Sequence, residues 1–312
     1  MVRKAVTHHD SDNKLARELQ KLVLAESLND HVIEELESQG AGPKSVAVML
    51  DLRDASEGLP APTALPEFAE PPLPLRAEQD AILKSAAEHA GSYSAGLPDF
   101  ICTEMVRRFD DVGGTGKWKA RDVLTVKLTF FSRRENYELV AINNRPTHRN
   151  YEAIGGAVSE GEFGSDLVTL FDPQSRTYLR WDHWTHLRKH VAHVFYYRID
   201  RANARYRLEF GMGDSPHVAT TVGEHGYVYV DRDTGEVLRL NRSADIPTSF
   251  PVRRATTLLD YDYAAVAGRQ YLVPLRAEIR MATDYILTRN QIEFTGYRKF
   301  SGESTITFDS AK

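Results

Sequence analysis

Near residue 100 the hydrophobic period of the chain changes from 3.6 to 2, and this switch constrains the fold more than any other feature. Leu124, Val126, Leu128 and Phe130 alternate with Thr125, Lys127 and Thr129. Tyr137, Leu139 and Ala141 form a second row, and Val191, His193, Phe195, Tyr197 and Ile199 a third. Tyr206, Leu208 and Phe210 face away from Arg207 and Glu209. Residues 227–230 and 237–240 flank a turn at Asp231-Arg232-Asp233-Thr234-Gly235. Strand-like segments follow at 257–263, 271–281, 290–297 and 304–308, with a hairpin turn at Gly268. At least nine strands are thus predicted, mostly joined by short turns that leave hardly any room for crossover helices. Such a series favours an antiparallel meander over a parallel doubly wound sheet. Nine consecutive strands do not stay flat; they curl into a half-barrel or split into two layers. Thr, Arg and Glu on alternate positions predict one buried face and one at least partly wet.

The first 92 residues read differently. Asp12 or Asn13 can cap a helix carrying Leu15, Leu19, Leu22 and Val23. Asn29 can cap a second with Val32, Ile33 and Leu36, which Gly40 and Gly42 stop. Pro43 suits the first turn of a third with Val46, Leu50 and Leu52 inward. None is long enough to be stable alone, so each must bury its stripe on a neighbour. Six prolines between positions 60 and 74 mark a spacer, and a fourth helix is predicted over 76–92. The predicted organisation is an N-terminal helical segment (1–57), a proline-rich linker (58–75) and a helix plus curved-sheet domain (76–312). The fold class is α+β: a large curved, mainly antiparallel, half-barrel-like β-sheet with N-terminal helices packed on it.

Composition excludes several functions. Apolar residues at 42% and charged residues at 27% fit a globular chain and not a disordered one. A single Cys excludes a disulfide scaffold, and no apolar run reaches the length of a transmembrane helix. A net charge of −5 argues against nucleic acid as a partner. Residues 1–60 hold seven basic and 11 acidic residues, a balance of −4, so nearly all the acidity lies in the helical segment.

From Tyr93 onward the chain carries a set of distinctive segments: Tyr93-Ser94-Ala95-Gly96-Leu97-Pro98-Asp99-Phe100-Ile101-Cys102-Thr103-Glu104, Gly161-Glu162-Phe163-Gly164-Ser165, Thr169-Leu170-Phe171-Asp172-Pro173 and Leu259-Asp260-Tyr261-Asp262-Tyr263. With Leu272-Val273-Pro274-Leu275-Arg276-Ala277-Glu278 and Asn290-Gln291-Ile292-Glu293-Phe294, this set resembles a family of secreted bacterial proteins found mainly in acidobacteria. The resemblance covers about 220 residues. More distantly, the strand-rich part is similar in plan to the periplasmic lipoprotein-carrier superfamily, in which a curved sheet wraps a hydrophobic cavity. The resemblance implies a periplasmic or secreted protein and carries no catalytic residues. Polar residues follow Met1-Val2-Arg3-Lys4, so a signal peptide is not evident; a native start would imply a cytoplasmic protein.

Candidate sites are few. His183, His186, His190 and His193 would share one face of a continuous helix and could ligate a metal there, with Asp182 behind them, but the segment reads as strand or hairpin. Gly155 to Ser165 is a glycine-rich loop in which Phe163 could enter an apolar cavity while Glu160 and Glu162 stay at its rim. Gly113-Gly114-Thr115-Gly116-Lys117 resembles a phosphate loop but is followed by Trp118 and a strand, so it reads as a hairpin loop. Cys102 reads as a core thiol, and Glu104, Asp260, Asp262, Glu278 and Glu293 are possible acids with no evident pairing. No cofactor motif occurs, so no cofactor is expected. The leading expectation is a non-enzymatic extracytoplasmic protein that binds an apolar or amphipathic ligand in the concavity. The alternatives are a structural or protein-interaction module that uses the N-terminal helices to contact a protein partner or a second copy, and a metal-dependent enzyme built on the His183–His193 cluster.

Overall fold

A computed structural model describes residues 11–62, 72–151, 154, 164–210 and 218–300. The chain begins with three short helices, α1 (Asp12–Leu19), α2 (Asp30–Ser38) and α3 (Pro43–Ala55), followed by the longer α4 (Arg76–Gly96). The sheet strands are β1 (Phe100–Val112), β2 (Lys119–Phe131), β3 (Arg134–Ile142) and β4 (Arg145–Pro146). After α5 (Ser165–Phe171) come β5 (Tyr178–Leu187), β6 (His190–Ile199), β7 (Tyr206–Phe210) and β8 (Val218–Asp231). The last four are β9 (Val237–Asp245), β10 (Val252–Val266), β11 (Arg269–Thr283) and β12 (Ile286–Lys299). All twelve strands belong to one open antiparallel sheet in the order β4-β3-β2-β1-β12-β11-β10-β9-β8-β6-β5, with β7 paired to β8. The expected α+β class and curved antiparallel sheet are therefore present. Bulges at Trp181/His183, Tyr229/Val230, Asp260/Tyr261 and Ile101/Thr103 bend and twist it. The predicted strand at 304–308 lies outside the described residues.

Register explains why the sheet takes helices on both sides. One cross-strand row runs Trp181, Phe195, Val228, Leu240, Leu259, Ala277, Ile292, Val106, Leu124, Ile142. Every member is apolar, and α4 and α5 lie against this face through Ala86, Ala90, Leu167 and Leu170. The small Ala side chains let α4 sit close on the strands. The adjoining row on the opposite face runs Tyr229, Arg239, Asp260, Arg276, Glu293. This face is expected to be at least partly wet, and it is wet only in part: Arg239 and Asp260 are buried, with Glu37 of α2 covering Arg239. Further along, where β2 meets β3, the same face is open and carries the exposed Lys127–Glu138 pair.

The helical segment has its own core of Leu15, Leu19, Ile33, Leu36, Val46 and Met49, seated on Leu258 of β10. Its capping differs in one respect from expectation. Ser11 caps α1, and Asp12 instead reaches across to the backbone N–H groups of Lys44 and Ser45, both at 2.9 Å. It thus supplies the cap that Gly42 lacks, and a Cβ on Gly42 would clash with the Asp12 carboxylate. Asn29 caps α2 as expected, accepting from Val32 N–H at 2.9 Å.

Gly226 in β8 shows how tightly neighbouring strands approach. A Cβ there would lie 1.9 Å from the Asn241 carbonyl oxygen of β9. Gly226→Ala is expected to cost about 1–3 kcal/mol by forcing β8 and β9 apart. Gly91→Ala, on the exposed side of α4 with open space around it, should instead stabilise by up to about 1 kcal/mol. Chemical denaturation of both variants checks the contrast.

Candidate functional site

A cavity of about 580 Å³ lies between α2, α3 and the polar face of the sheet. Its size falls in the range of small-molecule sites, roughly 300–1,000 Å³. Two adjacent cross-strand rows make its floor: Tyr227, Asn241, Leu258, Glu278 and His225, Ser243, Thr256, Arg280. Its roof is mixed: Leu28, Ile33, Val46 and Leu50 of the helical segment form an apolar patch, and Asp30, Glu34, Arg53, Asp54 and Glu57 stand around it. The cavity therefore joins an aliphatic patch on the helices to a largely polar floor within a charged surround, and an amphipathic molecule would match both parts.

The charges around the cavity are largely matched within the protein. Arg53 donates to Asp30 at 2.5 Å and to Asp54 at 2.9 Å, and Arg280 donates to Asp54 at 2.5 Å and Glu278 at 2.6 Å. Arg289 donates to Asp51 at 2.6 Å. Deeper in, Arg239 donates to Asp260 at 2.5 Å and to Glu37 at 2.8 Å. Arg276 donates to Asp260 at 2.6 Å and also to Glu37. Burial alone would raise the Asp260 carboxyl, but Arg239, Arg276 and Arg188 outweigh it and hold it well below its ordinary value. The acid excess of residues 1–60 thus has a structural destination: Glu37, Asp51 and Asp54 neutralise arginines of β9, β11 and β12.

The four hairpin histidines are not brought together. The segment is a β-hairpin, β5 to β6, whose register pairs His183 with Val194, Trp184 with His193, His186 with Val191 and Leu187 with His190. His183 contacts Asp182 at 2.9 Å and Glu34 of α2 at 3.4 Å. His186 lies 3.7 Å from Glu35, and His190 bonds Asp231 at 2.7 Å. His193 is buried against the Trp184 ring, with centroids 3.9 Å apart. Four separate environments replace the single ligating face that a helix would provide. One of them is denser than sequence spacing could show: His31 and Glu34 of α2 and His183 of β5 have ligating atoms within 4.8 Å of one another. Burial raises the Glu34 carboxyl, yet its contacts with His183, Arg239 and Tyr229 outweigh burial and hold it below its ordinary value.

The other sequence candidates fall as follows. Phe163, Glu160 and Glu162, with the loop 155–163, lie outside the described residues. Residues 113–118 link β1 to β2, and Asp111 accepts from Thr115 N–H at 3.0 Å and Gly116 N–H at 2.7 Å, so the phosphate-like motif is a hairpin loop. Among the acids, Asp260, Glu278, Glu293 and Asp262 all meet arginines, Glu293 through Arg107 at 2.9 Å and Asp262 through Arg188 at 3.3 Å. Glu104 differs: it is 2% exposed on the apolar face and is pushed up to about 8 by burial, despite a hydrogen bond with Tyr151. Cys102 beside it is buried, and burial with the nearby Glu104 pushes its thiol up to about 12.

No protein-family model, curated protein or solved structure matches the chain.

Proposed function

We propose that this is a non-enzymatic binding protein that holds an amphipathic small molecule between its N-terminal helices and the polar face of its sheet. The observation that carries this reading is the cavity of about 580 Å³, in which a leucine, isoleucine and valine patch on the helices faces tyrosine, asparagine, serine and threonine on the sheet, with charged residues of both walls around them. Because the lining arginines already meet carboxylates, the matching ligand is uncharged or zwitterionic. A purely apolar ligand has less in its favour, since the apolar face of the sheet is filled by its own side chains with α4 and α5. Catalysis finds little support: the Cys102 thiol is buried and hard to ionise, and four of the candidate acids meet arginines. Docking through the N-terminal apolar stripe is also disfavoured, because Leu15, Leu19, Ile33 and Leu36 are buried in the segment's own core. Extracytoplasmic placement rests on the family resemblance.

Native mass spectrometry of gently purified protein tests the reading. One retained small molecule per chain is expected, released by a mild organic solvent. Thr256→Trp, which fills the floor of the cavity, should abolish retention while leaving the thermal midpoint nearly unchanged. A wild-type chain that carries nothing and takes up no zwitterionic phospholipid or detergent monomer would sink the proposal.

A further inference from the structure

We propose that His31, Glu34 and His183 form a binding site for a single divalent transition-metal ion, zinc by preference, with Asp182 and Tyr229 orienting the ligands. The site does not depend on the small-molecule reading above, because a water can complete it.

Three observations assemble it. First, His31 and Glu34 stand three residues apart near the start of α2, a spacing that puts both side chains on one helix face. The Asn29 cap fixes the turn that carries them. Second, the β5 bulge between Trp181 and His183 departs from regular alternation, as bulges do when they re-aim a side chain. His183 then meets α2 from the sheet, with the His31 and His183 rings edge to face and their centroids 4.9 Å apart. Third, each ligand from opposite sides of the site is held by a partner on its other atom. Asp182 Oδ2 lies 2.9 Å from His183 Nδ1, which leaves Nε2 toward the site. Tyr229 donates to Glu34 Oε1 at 2.5 Å, which leaves Oε2 toward the site. A carboxylate behind a ligating imidazole and a hydrogen bond behind a ligating carboxylate are the usual supports of protein metal sites.

The spacing suits a small ion. His183 Nε2 and Glu34 Oε2 are 3.4 Å apart. Two ligands at about 2.0–2.1 Å from a tetrahedral zinc stand about 3.3–3.4 Å apart, so this pair is already set. The third atom, from His31, lies within 4.8 Å of the other two, so a bound ion would draw that ring in toward them. Two imidazoles and one carboxylate are a zinc-type ligand set; calcium and magnesium take oxygen donors instead. Glu34 and Tyr229 also line the large cavity, which therefore borders the site and is the nearest source of a water or donor atom for the fourth position.

The test uses the full chain stripped by chelation and then titrated with Co(II), followed by visible absorption. One equivalent is expected to bind with the ligand-field bands of a four- or five-coordinate site, and Zn(II) should displace it. His31→Ala and His183→Ala should each weaken binding by about 100-fold or more, and Asp182→Asn by about 10–100-fold. His186→Ala and His190→Ala should bind as the wild type does, which separates this cluster from the remaining hairpin histidines. His31→Ala removes one ring from α2 together with its contact to His183, and it keeps the test decisive if His183→Ala misfolds. Absence of a one-to-one Co(II) complex, or wild-type affinity in His31→Ala, would overturn the proposal.

Discussion

Asp260→Ala is expected to destabilise the protein by about 3–5 kcal/mol, the cost of removing one partner from a buried ion cluster. Asp260 is fully buried and accepts from Arg239 at 2.5 and 3.1 Å and from Arg276 at 2.6 Å, with Arg188 at 3.6 Å. Truncation leaves three guanidinium groups facing Glu37 and Asp262 as their remaining counter-charges. The desolvation already incurred by Arg239, itself 3% exposed, is then no longer offset. Because Glu37 belongs to α2, the damage extends to the docking of the helical segment on the sheet. Denaturant midpoints with an unchanged slope would measure the loss directly. Glu138→Ala removes an ion pair of similar length from the open part of the same face and should cost less than about 1 kcal/mol. Equal losses in the two variants would contradict the view that the arginine row is a sealed interface.

The same interface marks the boundary of what could be read from the amino acids. Strand periodicity is a local property, so the alternation of Leu124 to Phe130 and the turn at Gly235 were legible without the fold. So were the Asn29 cap and Pro43 at the head of α3, which depend on neighbours within a turn. The acidity of residues 1–60 was legible too, but not its purpose. Glu37 meets Arg239 across 202 positions, and Asp51 meets Arg289 across 238. No spacing rule reaches that far, so which part of the partly wet face is covered could not be read from the alternation. Histidine spacing misled for a related reason. Within the hairpin the four residues look like a cluster, whereas pairing and twist send them to four different neighbours. The dense group combines His183 with His31, 152 positions earlier (183 − 31), and only the docking of α2 on β5 creates it.

Glu104→Gln is expected to flatten the pH dependence of stability, and the sign follows from where the residue sits. Glu104 projects from β1 into the apolar face, where its cross-strand neighbours are Phe294 and Val126. Burial raises its folded value to about 8, against 4.5 for the free side chain. Below the lower value both folded and unfolded chains hold the proton, and stability is insensitive to it. Between the two values the unfolded chain gives up its proton and the folded chain keeps it, so rising pH favours unfolding. Above about 8 the folded carboxyl ionises as well, and the decline stops. At about 1.4 kcal/mol per pH unit, the contribution lost across this window is about 3–5 kcal/mol. Glutamine resembles the protonated acid in shape and cannot ionise. The variant should therefore gain on the wild type by that amount between about pH 5 and pH 9, whatever its fixed offset in hydrogen bonding. The comparison is made by urea denaturation of both proteins at matched pH. Parallel curves would mean that Glu104 is charged in the folded protein, with a counter-charge that the apolar face does not display.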